Sequence, residues 1–512
     1  MFVQLKFAKW VTLGIIVANA IGCSSARHLA HQLQPPFLKR STSFALSNPA
    51  SNVGSIEPSF DNTAADPVKL VSHLPPALSS VDPSVSSLAD VDVIAYETEI
   101  TVDSSIMSAD MSLEDFESLA YANNPTIREL AATTQKAAGF RTQVGLRANP
   151  VIGYQGTQIA DEGTDQHTPY IQQEIVTGGK LTLNRRVLDE AVRAQLLELE
   201  AQKYRVATDI KVKFYEALAA QKRIELIEAF QTVANKGLDI AQLRKKALEG
   251  SQVDVLQAKV QKNEVDLALQ QSEIGYAAAW RELVALAGSP ALPPIRLRGE
   301  LPTTAEPLDW SSVTSSVLVS SPEFSASQVR VSQARASLER QGVQAIPNVT
   351  VQVAGGVDNG TNSGLMNLQV GVPIPVFNKN QGNIAAARAE FCRAQMEVLR
   401  IENSIKARMA VVSKEYDSSL AAVSKYSVEI LPSAQESLDL AELAYKAGET
   451  SFVQVLVARR TFFDSNLQYV AAQSQLAQAK SKVDGFVLTG GLDAIMDASG
   501  DDSLRGLTFS QQ

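Results

Sequence analysis

Residues that could carry chemistry are few in this chain of 512 residues. Its four histidines are His28, His31, His73 and His167. Three of them fall in an N-terminal low-complexity region, so a histidine metal centre is not expected. The two cysteines, Cys23 and Cys392, provide neither a disulfide framework nor a thiolate metal site, and we expect Cys392 to be a buried, inert thiol. No nucleophile elbow, phosphate-binding loop or metal-ligand cluster is recognisable. The sequence therefore predicts no enzyme and no cofactor.

The N-terminus has the features of an export signal. Residues 1–10 contain lysine but no acid, and an apolar run of about twelve residues follows, which is too short to span a bilayer. We predict a signal peptide over residues 1–22. The run ends in Ala20-Ile21-Gly22-Cys23, which resembles a bacterial lipoprotein cleavage site with Cys23 as the lipid anchor. The alternative is an ordinary signal peptide followed by an incidental cysteine.

Composition separates the two ends of the chain from its middle. Residues 23–110 are rich in Ser, Pro, Asn and Asp, a composition that cannot bury enough apolar surface to offset chain entropy, so we predict a disordered tether. We predict a second disordered segment over residues 491–512. The net charge is −9 and no basic patch is interleaved with aromatic residues, which argues against nucleic-acid binding.

Two long helical stretches organise the rest of the chain. Residues 177–247 contain no proline, and apolar residues such as Val206, Ile210 and Phe214 recur at helical steps. A helix of about 65 residues would be on the order of 100 Å long. Residues 380–447 repeat this pattern, with one interruption at Pro432.

A β-hairpin is predicted before each long helix. The first has strands at 150–159 and 170–176 around a polar loop at 160–169, and the second has strands at 349–353 and 366–374 around a loop at 358–364. In the last strand one face carries only apolar residues: Met366, Leu368, Val370, Val372 and Ile374. This alternation suits a barrel with lipid outside and water inside. Four strands cannot close such a barrel, so closure requires two or more chains.

Two further helices carry apolar residues at seven-residue spacing, which indicates coiled-coil seams. The first seam is Val253, Val260, Leu267 and Ile274. The second seam is Val455, Phe462, Tyr469, Leu476 and Val483.

The order of these elements occurs twice. Asn124-Pro125 and Ser321-Pro322, which each open a helix, stand 197 residues apart. We interpret the chain as an internal tandem repeat. The predicted divisions are repeat 1 at 111–288, a connector at 289–320 and repeat 2 at 321–490.

The duplicated layout comes with local motifs. These are Asn124-Pro125, Asn149-Pro150, Gly178-Gly179-Lys180 at the entry of the long helix, and the turn at Gly250 that leads into Asp254-Val255-Leu256. Over residues 111–488 the chain resembles the TolC-like outer-membrane efflux proteins. The resemblance implies a mainly α fold with a small β part. Long antiparallel helical hairpins would form an α-barrel, and four strands per chain would complete a shared transmembrane β-barrel in a homotrimer.

The resemblance also implies where partners bind. The turns after the long helices become the periplasmic tip that contacts an adaptor: Gly250, Ser251, Gly448, Glu449, Thr450 and Ser451. Asp254 and Gln454 become candidates for an entrance ring. The glycines also suit ordinary helix C-caps, and Asp254 suits a carboxylate favoured by the helix dipole. Arg244-Lys245-Lys246 suits either a solvated face or adaptor recognition.

The function implied is a passive exit duct in the bacterial outer membrane, extending into the periplasm. It would belong to a tripartite efflux or type I secretion system, with outer-membrane lipid around it and a periplasmic adaptor and an inner-membrane pump as partners. The alternatives are a lipid-tethered coiled-coil spacer and a periplasmic adaptor. The sequence leaves the cargo open between drugs, metal ions and polypeptides.

Overall fold

A computed structural model describes residues 110–160 and 163–497. The predicted signal peptide, the Cys23 anchor, all but the last residue of the tether, and residues 498–512 lie outside this part of the chain. Among the described residues, no helix combines the length and the apolar character needed to cross a membrane.

The described chain is mostly helical, and its element order is the same in both halves. The first half contains α1 (Leu113–Asn123), α2 (Pro125–Val144), β1 (Val151–Thr157), β2 (Gln166–Ile175), α3 (Lys180–Lys246) and α4 (Gln252–Leu286). The second half contains α5 (Trp310–Ser320), α6 (Pro322–Gly342), β3 (Val349–Asp358), β4 (Ser363–Gly371), α7 (Gln381–Lys425), a π-helical turn (Tyr426–Ile430), α8 (Leu431–Lys446) and α9 (Phe452–Asp484).

Short polar residues cap the first helices, as their positions predict. The Ser112 hydroxyl accepts from the backbone N–H of Asp115, and Asp115 Oδ2 accepts from the N–H of Ser112 at 2.8 Å, which forms a capping box at α1. Asn124 caps α2 by accepting from the N–H of Thr126 at 3.0 Å, with Pro125 in the first turn.

Residues 289–320 are more than the connector we expected. The prolines of this segment end before Trp310, and Asp309 then caps α5 by accepting from the N–H of Ser311 at 3.1 Å. Val317 buries the inner face of α5 against α7. The second half therefore begins with a counterpart of α1, which sequence analysis missed.

The long helix of the first half is continuous, whereas that of the second half is not. Helix α3 runs for 67 residues, which corresponds to about 100 Å. The second rod consists of α7, the π-helical turn and α8. Pro432 has no N–H to donate and its ring crowds the carbonyl one turn earlier, so the wider turn just before it accommodates the proline. The predicted interruption is confirmed.

Each half has its own core. The first is aromatic: Phe116 packs edge-on against Trp280, with ring centroids 5.7 Å apart, and against Phe214 at 6.1 Å. Trp280 also donates its indole N–H to the carbonyl of Leu292 at 3.1 Å. The core of the second half is largely aliphatic and is built on Ile401, Ile405 and Met409 of α7.

The four strands form one antiparallel sheet in the order β1-β2-β3-β4. One row across all four strands is apolar: Ile152, Ile171, Val353 and Leu368. The adjacent row holds Val151, Gln172, Gln352 and Gln369. Because neighbouring residues point to opposite faces, the sheet has one apolar and one largely polar face.

The strand bounds differ from the predicted ones. Strand β2 begins at Gln166, four residues early, because Pro169 lies within the strand opposite Tyr154 and does not end it. The first loop is correspondingly shorter than 160–169. Strand β3 extends to Asp358, and β4 ends at Gly371, so Val372 and Ile374 lie beyond the paired residues.

The segment after α9 contradicts the prediction of disorder from residue 491, as far as residue 497. Asp209 Oδ2 accepts from the backbone N–H groups of Gly490 at 2.9 Å and Gly491 at 2.7 Å. The carbonyl of Gly491 accepts from the hydroxyl of Thr126 at 2.8 Å and from the amide of Gln202 at 2.9 Å. Burial raises the pKa of Asp209 despite its two backbone donors. These paired polar groups fix the segment against α2 and α3.

Candidate functional site

We define the first turn as residues 243–256, between α3 and α4. At the end of α3 the N–H of Glu249 donates to the carbonyl of Arg244 at 2.9 Å, and the N–H of Leu248 donates to Lys245 at 3.1 Å. This is a Schellman C-cap, whose key residue is left-handed. That residue is Leu248, with φ of 61°, and not Gly250 as we expected. Gly250 instead donates to the Arg244 carbonyl at 3.2 Å.

The second turn, residues 443–456, has the same cap with a different residue. The N–H of Glu449 donates to Ala444 at 2.8 Å, and the N–H of Gly448 donates to Tyr445 at 3.0 Å. Gly448 has φ of 77°, so glycine occupies the left-handed position here. This agrees with the C-cap interpretation of Gly448. The alignment of Leu248 with Gly448, 200 residues apart, was the signal that could have identified Leu248.

The helices that leave the two turns start differently. Ser251 and Asp254 form a capping box: the serine hydroxyl accepts from the N–H of Asp254 at 3.1 Å, and the carboxylate accepts from the N–H of Ser251 at 2.9 Å. At the corresponding place Ser451 makes no side-chain cap, and Gln454 donates its N–H to the Ser451 carbonyl at 3.1 Å. The Asp254 carboxylate therefore has a local partner at the start of α4.

An arginine and two aromatic residues join the turns. Arg244 donates to the hydroxyl of Tyr445, and its guanidinium lies 5.0 Å from the centroid of that ring. The Tyr445 ring lies 5.6 Å from Phe452, which packs with Ala241 and Ala258 between the first and second hairpins. Arg244 is therefore part of an inter-turn contact and not of a solvated face. Sequence analysis did not identify Tyr445 or Phe452.

The two predicted seams face different surroundings. The α4 seam (Val253, Val260, Leu267 and Ile274) is more than half exposed at every position. In the α9 seam, Val455 and Leu476 are buried and the other three residues are half-buried against the same chain. The α4 seam is thus an apolar stripe that the single chain does not cover.

A buried polar cluster joins the sheet to the rods. Lys180, from the Gly-Gly-Lys motif, donates to Oδ1 of Asn348 at 2.8 Å, and the amide of Asn348 donates to Glu174 at 2.7 Å. Arg340 donates to Asn184. Burial lowers the pKa of Lys180, and the nearby Arg340 lowers it further. Burial also lowers the pKa of Arg340 to about 10.

The side chains that could bind a metal ion are not grouped in the described part of the chain. Within residues 110–160 and 163–497, no three His, Cys, Asp or Glu side chains are grouped so that they could hold a metal ion. Cys392 is a free thiol and is half-buried rather than buried.

These features define a class of protein: paired helical rods that carry a small sheet with one apolar face, as in outer-membrane channel subunits. Residues 313–485 match the family model described as outer membrane efflux protein. A structure of a membrane protein from Pseudomonas aeruginosa has a TM-score of 0.62 at 16% identity, covering 76% of this chain and 92% of that one. The Vibrio cholerae outer membrane protein VceC has a TM-score of 0.61 at 18% identity, with 74% and 96% covered.

Two relatives are similar in sequence. The cobalt-zinc-cadmium resistance protein CzcC of Cupriavidus metallidurans is 24% identical over 379 residues, which cover 73% of this chain and 89% of CzcC. The pyoverdine export outer membrane protein OpmQ of Pseudomonas putida is 24% identical over 327 residues, which cover 60% and 67%. The chain is similar to TolC-like outer membrane efflux proteins, and the resemblance stated from its motifs is confirmed.

Proposed function

We propose that three copies of this chain form a passive exit duct in the outer membrane, which docks to a periplasmic adaptor and an inner-membrane pump in a tripartite efflux system. The observation that carries the proposal is the four-stranded sheet, with one apolar face, one largely polar face and β1 and β4 at its edges. An apolar face of this kind suits lipid, and a polar face suits a water-filled lumen.

The edges of the sheet require further strands. An open sheet edge in lipid leaves backbone groups unpaired, which is costly, and membrane barrels need at least about eight strands. Pairing β1 of one copy with β4 of the next would close the sheet. Three copies with four strands each would give a barrel of twelve strands.

The uncovered α4 seam supports the same assembly in the helical part. Its four apolar residues stand at coiled-coil spacing, so a helix of a neighbouring copy would bury them. Side-by-side packing of the rods of three copies would then surround a tunnel that continues from the barrel into the periplasm.

The two turns lie at the opposite end of α3 from the sheet, about 100 Å away along the helix. We propose that this end is the periplasmic tip, where the adaptor binds at 250–251 and 448–451. The Arg244–Tyr445 contact joins the first and second turns and would hold the entrance closed. Asp254, repeated in three copies, would still place carboxylates near that entrance.

The cargo is set elsewhere in this proposal. The names of the two relatives refer to cobalt, zinc and cadmium in one case and to pyoverdine in the other. No grouped metal ligands lie in the described part of this chain. We therefore assign cargo selection to the pump.

Membrane fractionation with chemical cross-linking tests the assembly. We expect the cross-linked species in the outer-membrane fraction to have the mass of three chains and to need detergent for release. A monomer that is released without detergent would contradict the duct and favour a coiled-coil spacer. The variant V260E/L267E is the matched probe of the α4 seam, and it should weaken the trimer without changing the sheet.

Conductance in planar bilayers tests the entrance. The purified protein should form channels, and R244A should raise their open probability because the contact with Tyr445 is lost. The reciprocal variant Y445A should have the same effect. Unchanged gating in both variants would remove this contact from the proposal while leaving the duct in place.

The lipid anchor is a separate part of the proposal. Labelling cells with radioactive palmitate should mark the wild-type chain and not C23S, since thioether-linked lipid requires the cysteine. An unlabelled wild type would make residues 1–22 an ordinary signal peptide.

A further inference from the structure

Leu248 is the feature of the first turn that packing within the chain does not explain. It occupies the left-handed position of the C-cap, with φ of 61°, although side chains with a Cβ rarely adopt this conformation. Its side chain is 94% exposed. The same position of the second turn holds Gly448, which adopts the conformation without strain. The chain thus has an exposed leucine at a position where glycine would adopt the same backbone conformation with less strain.

Apolar residues common to both turns do not account for this difference. They are the pairs Ile240 and Leu440, Leu243 and Leu443, and Val253 and Val453, each 200 residues apart and each exposed. A feature present on both hairpins suits the contacts of rods with their neighbours in the assembly. Leu248 has no such counterpart, and it lies past the last residue of α3.

Charge also distinguishes the first turn. The last turn of α3 holds three bases, Arg244, Lys245 and Lys246, whereas the last turn of α8 holds only Lys446. Arg244 is directed to Tyr445, and Lys245 donates to Gln252 across the turn. Two acids lie nearby. These are Glu249, whose counterpart is Glu449, and Asp254, which keeps its negative charge while it accepts from the N–H of Ser251. Three bases against two acids leave a net positive charge around Leu248.

We propose that the first turn, and not the second, determines which partner binds at the tip. Leu248 enters an apolar groove of the partner, and acidic side chains flanking that groove pair with Lys245 and Lys246. The partner surface is thus an apolar groove with an acidic rim. This inference rests on the proposed function, because it assumes that the turns face a partner. An aliphatic side chain that enters a pocket of the partner can serve as the anchor of an interface.

The test is a binding experiment with a defined probe. The probe is a synthetic two-helix hairpin peptide whose groove is lined by leucine and flanked by glutamate, and the control peptide has lysine in place of glutamate. Both are titrated by fluorescence anisotropy against the purified full-length trimer. We expect the acidic peptide to bind wild type, with affinity that falls as salt rises, and the lysine peptide not to bind.

Variants separate the side chain from the backbone strain. L248N removes the apolar group but keeps a residue that tolerates the left-handed conformation, and L248G relieves the strain as well. Both should bind the acidic peptide about tenfold more weakly or worse. K245E/K246E should have a similar effect. The matched change K446E at the second turn, which alters the counterpart of Lys246, should leave binding unchanged.

Several results would contradict this inference. Equal binding by wild type and L248N, or no binding of the acidic peptide to wild type, would overturn the inference. Equal loss in K446E and K245E/K246E would do so too, since both turns would then contribute equally to binding. Membrane fractionation and conductance of the same preparations report on the exit duct separately. A variant that inserts, conducts and fails to bind the peptide therefore isolates the role of Leu248.

Discussion

The two halves of the chain have the same element order but use it differently. The first half has a continuous rod, an aromatic core and an uncovered seam on α4. The second half has a rod interrupted by a π-helical turn, a largely aliphatic core around the middle of α7 and a seam on α9 that packs within its own chain. The first half therefore leaves an apolar stripe along its rod uncovered, while the second half buries its seam within the same chain.

The two turns also differ between the halves of the chain. The first turn has Leu248 in the strained position, three bases and a capping box, whereas the second turn has Gly448, Tyr445 and Phe452 and no side-chain cap. The aromatic residues of the second turn are directed into the chain, and Leu248 of the first turn is directed to solvent. The corresponding turns of the two halves therefore differ: aromatic side chains of the second turn pack inside the chain, and Leu248 of the first turn is exposed to solvent.

The largest expected effect comes from removing one half's strands. Deleting Val349–Asp358 and Ser363–Gly371 leaves β1 and β2 with an unpaired edge, so outer-membrane assembly should be lost entirely. Fractionation with cross-linking measures this. Recovery of a detergent-requiring trimer from this deletion would show that the two halves do not contribute jointly to one barrel.

A proline exchange tests why only one rod is interrupted. Thr232 in α3 stands 200 residues before Pro432, on an exposed face of a continuous helix. T232P should destabilise the protein by roughly 3 kcal/mol or more, because it removes a helix hydrogen bond and crowds a carbonyl. The reverse change, P432T, should cost less than about 1 kcal/mol, since the π-helical turn can relax. Thermal unfolding of the two purified variants and of the wild type compares these losses of stability. Equal losses of stability in T232P and P432T would mean that both rods tolerate an interruption equally well.

The capping box gives a smaller, local contrast. D254N should destabilise the start of α4 by about 1 kcal/mol, because asparagine accepts the N–H of Ser251 less strongly than a carboxylate. Q454D should stabilise the start of α9, because the new carboxylate would complete a capping box with Ser451. Limited proteolysis at each turn measures the local order of the helix starts.

Single-channel recording of D254A tests the entrance ring. An unchanged conductance and ion selectivity would leave Asp254 as a helix-start residue only.

The smallest effect is the pH dependence of α1. Hydrogen bonds from the backbone and the hydroxyl of Ser112 lower the pKa of Asp115. A lowered pKa in the folded state adds stability above the unfolded pKa, and this stability is lost as the pH falls through the folded pKa. Unfolding measured from neutral to acidic pH should therefore show a small loss in wild type that D115N lacks.

Much of the fold follows from the sequence because periodicity and capping act locally. The helical steps predicted the rods, Asn124 and Ser321 marked helix starts, and alternation predicted the hairpins. What periodicity does not reveal is the surface that covers an apolar face. The two heptad seams looked equivalent, yet one is covered by the same chain and the other is not.

The parts of the candidate site that sequence analysis missed depend on long-range contacts. Gly250 suggested a left-handed cap, but the register of the last helical turn places Leu248 there. The contact of Arg244 with Tyr445 joins residues 201 positions apart. Helix α5 escaped notice because the prolines before it suggested an irregular connector.

The attachment of Gly490 and Gly491 to α2 and α3 has a consequence for biosynthesis. Thr126, Gln202 and Asp209 belong to the part of the chain that is made early, and their partners are made almost last. Chains emerge from the ribosome and the export machinery N-terminus first, so the middle of α3 carries unpaired polar groups during most of this passage. The first half can therefore complete its packing only after the end of α9 has emerged. Premature termination before residue 490 would therefore release a product that lacks these partners for the middle of α3.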